Sequence, residues 1–251
     1  MSGRGRRVSG SKGVLLRHVY QRLLDHFGRQ GWWPAETPFE VVIGAILTQQ
    51  TNWRNAARAI ENLKRRGLLE PRRLAEARVE EVEELVRVAG FYKEKARRIV
   101  EASRRIVEEC GGDLQRLFEG RSTEELREML LSWRGIGEET ADDILLYAAG
   151  RLSFPVDKYT MRMIERLGLE ERGYAEIKAL FEESMPRDLE VYKEYHALID
   201  ALGKTYCRAK PRCDGCPLRD LCKWPGDREG KRKRGEVSPP SGRGRASSRQ
   251  S

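Results

Sequence analysis

SWRGIGEETADDILLYA, residues 132–148, is the stretch on which the fold turns. An amphipathic run ends at Trp133, the turn reads Gly135-Ile136-Gly137, and a second helix opens with Glu138, Glu139 and Thr140. Glycines two apart permit positive φ and leave main-chain N–H groups uncovered, while the Ile between them can anchor the turn in a core. Bare amides at a helix N-terminus form an anion site, so Gly135, Ile136 and Gly137 are candidate contacts for a DNA phosphate. A plain αα-hairpin turn has the same pattern. The two acidic residues that follow suit the helix dipole but repel a phosphate unless they point away.

Outward from the hairpin the pattern stays helical. Apolar residues recur at spacings of three and four over 14–27, 38–50, 55–66, 79–89, 93–110, 123–133, 138–150, 175–185 and 189–206. No stretch alternates over strand length, and no solenoid-type repeat is present. Connections such as ETPFE, RSTEEL and GGDL carry Gly, Pro or capping residues. The expected fold class is all-α.

The 251 residues, 39% of them hydrophobic, suffice for one large or two modest domains with a core. No apolar run approaches the ~18 residues of a membrane span. The opening MSGRGRRVSGSKG lacks the apolar centre of a secretory signal, so a cytoplasmic, nucleoid-associated protein with reduced thiols is expected. The net charge of +9 resides in the tails: residues 1–13 hold four basic and no acidic side chains, and residues 227–251 hold eight basic and three acidic. Both read as disordered, phosphate-attracting arms around a neutral body. Such charge permits nucleic-acid binding, and solubility alone also accounts for it.

Two further stretches carry chemistry. In FPVDKYTMRMIERLG, Asp157 precedes an amphipathic helix; a helix N-cap is the plain role, and a cap leaves one carboxylate oxygen free. In CRAKPRCDGCPLRDLC, four of the five cysteines, Cys207, Cys213, Cys216 and Cys222, are spaced C-x5-C-x2-C-x5-C. Four thiolates in so short a loop suit an iron-sulfur cluster. Zinc sites more often pair close cysteines twice, and only Cys213 and Cys216 are close here. Cys110, before Gly111-Gly112, reads as a buried small apolar residue. His18, His26 and His196 lie in helices without ligand-like spacing and receive no role.

GIGEETADDILLYA followed by VDKYTMR resembles the helix-hairpin-helix DNA glycosylases of the endonuclease III superfamily. ILTQQTNW (46–53) and GFYKEKA (90–96) are similar to two more of its motifs, and all stand in the family's order over residues 30 to 222. The resemblance implies base-excision repair on double-stranded DNA holding a damaged or mismatched base, by a chain acting as a monomer. It implies that Asp157 is catalytic and that Gln49 probes the gap left by an extruded base. It implies a [4Fe-4S] cluster on Cys207, Cys213, Cys216 and Cys222, although the family's loop is one residue longer in its first gap. Arg208, Lys210 and Arg212 would meet the DNA backbone beside it.

Members that also nick the strand carry a Lys four residues after the first hairpin Gly; here that residue is Glu139. A carboxylate forms no imine, so a monofunctional enzyme is expected, with Lys158 as the alternative amine. GWWPAETPFEVVIGAILTQQTNW resembles the branch that removes alkylated purines such as 3-methyladenine, with Trp32, Trp33, Pro34, Trp53 and Lys204 lining its pocket. The remaining alternatives are an endonuclease III-type lyase on oxidised pyrimidines, a U/T mismatch glycosylase, and a DNA-binding protein without catalysis. The resemblance implies two helical lobes. Residues 30–151 form one with the hairpin, residues 14–29 and 152–226 form the other with the cluster loop 207–222, and the site lies between them.

Overall fold

The computed structural model describes residues 10–224. Twelve α-helices and no strands lie among them: α1 (Gly10–Phe27), α2 (Pro38–Thr48), α3 (Trp53–Arg65), α4 (Pro71–Glu76), α5 (Val79–Val86), α6 (Tyr92–Cys110), α7 (Leu114–Phe118), α8 (Thr123–Leu131), α9 (Glu138–Asp143), α10 (Lys158–Leu167), α11 (Tyr174–Ser184) and α12 (Leu189–Thr205). The all-α expectation holds. The periodicity missed α4 and α7, which have six and five residues and are too short to show a period.

Two cores organise the helices. The first draws on α2 to α9, from Phe39 to Leu145; the second draws on α1 and on residues 146–218. The chain passes from one to the other at a π-helical turn, Ile144–Ala148. Leu145 belongs to the first core and its neighbour Leu146 to the second, both fully buried. The extra residue in a π turn rotates successive side chains relative to a regular helix, and such turns concentrate at functional sites.

Local chemistry explains the boundaries that place the site. Thr37 accepts from the Glu40 amide and Pro38 stands in the first turn of α2, whose buried side chains on every face make it the central helix of its lobe. Ser122 and Glu125 form a reciprocal capping box on α8. In the hairpin, Gly135 has φ +79°, whereas Gly137 is extended at φ −98°. Only the first glycine is therefore required by conformation.

The N-terminal boundary needs correction. Residues 10–13, expected in the disordered arm 1–13, form the first turn of α1, and a Cβ on the buried Gly13 would lie 3.6 Å from Ser184 Oγ on α11. Close packing against α11 extends the helix beyond its apolar periodicity. Residues 1–9 and the tail 227–251 lie outside the described residues.

Candidate functional site

Asp157 caps α10, its Oδ1 accepting from the Thr160 amide and from Thr160 Oγ1, both at 2.7 Å. Oδ2 has no hydrogen-bond partner among the described residues, and the side chain is 8% exposed. The cap fixes the carboxylate and leaves one oxygen uncommitted.

Glu139, in the first turn of α9, lies within electrostatic range of Asp157. It keeps contact with solvent, yet the protein packed along its flanks and the Asp157 charge push its pKa up to about 7, with Lys158 opposing. One turn on, at the i+4 position of the same helix face, stands Asp143. It is buried, and its Oδ1 has no partner. Burial drives its pKa well above the usual carboxylate range, and Glu139, Asp157, Asp142 and Asp200 add to the rise. Lys158 is exposed and turned over the Tyr159 ring, 5.1 Å from its centroid.

Gln49, at the end of α2, has both ends of its amide engaged. Nε2 donates to the Gly135 carbonyl at 2.9 Å and to Thr140 Oγ1 at 3.0 Å, and Oε1 accepts from Arg98 at 2.7 Å. It is thus joined to the hairpin rather than held free. Ile136 is buried in the first core, leaving Gly135 and Gly137 exposed on either side.

Trp32, Trp33 and Trp53 pack on one another with centroids 4.7–5.5 Å apart, and Trp33 also meets Tyr147 at 5.4 Å. Lys204, paired with Asp200 at 2.5 Å, stands 5.8 Å from the Trp32 centroid. Pro34 is exposed and joins none of these ring contacts. A cavity of about 400 Å³ is lined by Trp32, Trp33 and Tyr147 among others, and not by Asp157. The Lys204 helix runs close to α10, since a Cβ on Gly203 would fall 2.2 Å from Tyr159.

Two neighbours of this site escaped the sequence. His196 is buried, its Nδ1 2.8 Å from the Tyr147 hydroxyl and its Nε2 without a partner. Burial lowers its pKa against the pull of Asp157 and Asp200. The other is Asp143. Neither sits in a motif; the one available signal was an acidic pair, Asp142-Asp143, directly before the apolar run Ile144–Leu146.

The cysteine loop packs on the second core through Cys207 and Cys216. Arg166 Nη1 donates to Cys207 Sγ at 3.2 Å, and Arg162 Nη1 donates to the Cys207 carbonyl at 2.9 Å. Burial raises the Cys216 thiol, and Cys207, Cys213 and Cys222 add to the rise. Among the described residues no group of three or more His, Cys, Asp or Glu side chains is arranged to hold a metal ion. No helix there is long and apolar enough to cross a membrane.

Two helical cores, a hairpin turn between α8 and α9, and a carboxylate capping α10 together define a helix-hairpin-helix fold. Residues 43–187 match the HhH-GPD superfamily of base excision DNA repair proteins, and the chain belongs to that family. A provisionally assigned DNA repair glycosylase of Methanocaldococcus jannaschii is 49% identical over 214 residues, which are 84% of this chain and 97% of that protein. The thymine-DNA glycosylase of Aeropyrum pernix is 30% identical over 82% of this chain and 94% of its own. The crystal structure of H. pylori 3-methyladenine DNA glycosylase bound to 1,N6-ethenoadenine superposes with a TM-score of 0.65 at 29% identity, covering 77% of this chain and 97% of that one.

Proposed function

We propose that this chain is a monofunctional DNA glycosylase that acts as a monomer on duplex DNA. It extrudes a damaged nucleotide into the junction between its lobes and hydrolyses the N-glycosidic bond, leaving an abasic site. Cleavage builds positive charge on the sugar, and the uncommitted Oδ2 of Asp157 stabilises that charge and orients the attacking water. The observation that carries this reading is the pair formed by Asp157, held as a cap with one oxygen free, and Glu139 beside it. Glu139 occupies the place where strand-nicking relatives would hold an amine, and a carboxylate forms no Schiff base.

The substrate we propose is an alkylated purine such as 3-methyladenine. Electron-rich indole faces suit a cationic base by stacking and cation–π attraction, and the three tryptophans supply them. Likeness to the H. pylori enzyme supports the same class. Likeness to the Aeropyrum thymine-DNA glycosylase favours a second reading, removal of mismatched thymine or uracil. The Gly135–Gly137 amides and the exposed Arg208, Lys210 and Arg212 would hold phosphates on either side of the lesion.

Cys207, Cys213, Cys216 and Cys222 would hold a [4Fe-4S] cluster. Four cysteines within one short loop, two of them packed on the second core, fit that donor set in number and type. When bound, the cluster serves to shape the loop. The residues around it position its basic side chains.

The test is a set of duplexes holding 3-methyladenine, U:G, T:G or thymine glycol, scored with and without alkali and with borohydride. The expected result is loss of 3-methyladenine, strand breakage only after alkali, no borohydride trapping, and no base loss with Asp157→Asn. Trapping, breakage without alkali, or a fully active Asp157→Asn overturns the reading.

A further inference from the structure

Residues 149–157 carry the chain from the π turn to Asp157 without forming helix, yet Ser153 to Asp157 are all buried. Buried main-chain groups need partners, and here side chains of distant helices provide them. The Phe154 amide donates to Glu182 Oε1 on α11 at 2.9 Å, and the Val156 amide donates to the Tyr174 hydroxyl at 3.3 Å. Ser153 Oγ donates to Asp142 Oδ1 at 2.7 Å.

Asp142 is the hub. Fully buried on α9, it accepts from Tyr174 at 2.6 Å, from Arg127 Nε at 2.9 Å and Nη2 at 3.2 Å, and faces Lys178 Nζ at 3.3 Å. Lys178 in turn donates to Ser153 Oγ and to Glu182 Oε1, each at 2.6 Å. One carboxylate from the hairpin helix thus gathers donors from α8, from α11 and from the segment before Asp157. Tyr174 is the link within it: its single proton goes to Asp142, and its lone pair takes the amide one residue before Asp157. Burial and Asp142 keep that phenol protonated, so it remains a donor.

We propose that Tyr174 and Asp142 are positioning residues for Asp157: their hydrogen-bond relay locks residues 153–156 and thereby sets where the uncommitted oxygen of Asp157 lies against the reacting sugar. The inference rests on the glycosylase reading above and adds to it that the hairpin helix aims the carboxylate as well as gripping DNA. A simple clamp between lobes would need the same contacts for stability alone, and the two differ in what they do to the transition state.

Tyr174→Phe removes one oxygen and leaves the ring in place. Single-turnover excision is measured on whichever duplex the wild type cleaves. Affinity is measured for two abasic analogues, a cationic pyrrolidine that mimics the charged sugar and a neutral tetrahydrofuran. The expected result is a rate lower by about 10- to 100-fold, the size of effect a misplaced reacting group produces. Tetrahydrofuran affinity should stay within about twofold, and the preference for pyrrolidine should fall in step with the rate. In an Asp157→Asn background, which excises nothing, Tyr174→Phe should leave pyrrolidine affinity unchanged. Ser153→Ala, which cuts the same relay elsewhere, should show a smaller loss of the same kind. Equal loss for both analogues, or a loss of pyrrolidine affinity that persists in the Asp157→Asn background, overturns the positioning role in favour of a clamp; an unchanged rate overturns it outright. A wild type that does not prefer pyrrolidine sinks the glycosylase reading, and the positioning proposal with it.

Discussion

The ammonium of Lys95 donates to the Leu47 carbonyl at 2.9 Å, joining α6 to the end of α2 across 48 residues of sequence. Its second bond, 2.8 Å long, goes to the Ala89 carbonyl. One buried cation therefore pins together the turn that presents Gln49 and the turn that presents Phe91. Burial, helped by Arg98, pushes its pKa down to about 8.

Lys95→Met keeps the stem and removes both donors. Two buried carbonyls then lose their partner, and the expected destabilisation is roughly 2–4 kcal/mol. Urea unfolding with its midpoint unchanged would show that the carbonyls find water instead.

Phe91 is 67% exposed and holds φ at +47°, a conformation that costs a non-glycine residue about 1 kcal/mol or more. An exposed aromatic kept under strain, on a turn that Lys95 ties to the end of α2, suits a wedge between base pairs. Phe91→Gly is expected to raise Tm while lowering the fluorescence change of a 2-aminopurine placed beside the lesion. A rise in both, or a fall in both, contradicts the wedge.

Desolvation and the Asp157 charge push the Glu139 pKa up to about 7, so raising pH through 7 is expected to add a negative charge to the site. The excision rate is expected to show an inflection near that pH in the wild type and none in Glu139→Gln. Glu139→Lys should in addition gain borohydride trapping, because it restores an amine at the hairpin. An inflection that survives Glu139→Gln belongs to another group.

Asp143 offers a test on stability. Its folded pKa lies above its unfolded value, so it opposes folding least below the unfolded pKa, near 4, and increasingly as pH rises through the folded one. Asp143→Asn should raise Tm more at pH 8 than at pH 4.5. Equal gains at both would mean that Asp143 is ionised throughout.

Cys216→Ser is expected to abolish bound iron in the purified protein and to lower Tm, since Cys216 packs on the second core beside Leu218. Zinc in place of iron, at one equivalent, would replace the cluster with a tetrahedral site.

Much of this architecture was legible because its signals are local. Helix periods, the GIG turn, the Asp before α10 and the cysteine spacing each lie within a few residues, where chain geometry alone links them. The start of α1 misled for the opposite reason: Gly10 and Gly13 are poor helix formers, and packing against α11 overrides that propensity. Gln49 was legible as a helix-end residue, but not its engagement with Gly135, Thr140 and Arg98, which lie 86, 91 and 49 positions away.

By itself the sequence determined an all-helical chain with a hairpin, a capping carboxylate and a four-thiol loop. Only the tertiary structure decided what surrounds the carboxylate. Asp142 and Asp143 are neighbours in the chain, yet the first collects every donor around it while the second keeps an oxygen without any. Whether a polar group is paired, charged or neutral depends on the partners and the dielectric that folding brings to it, and no spacing along the chain encodes either.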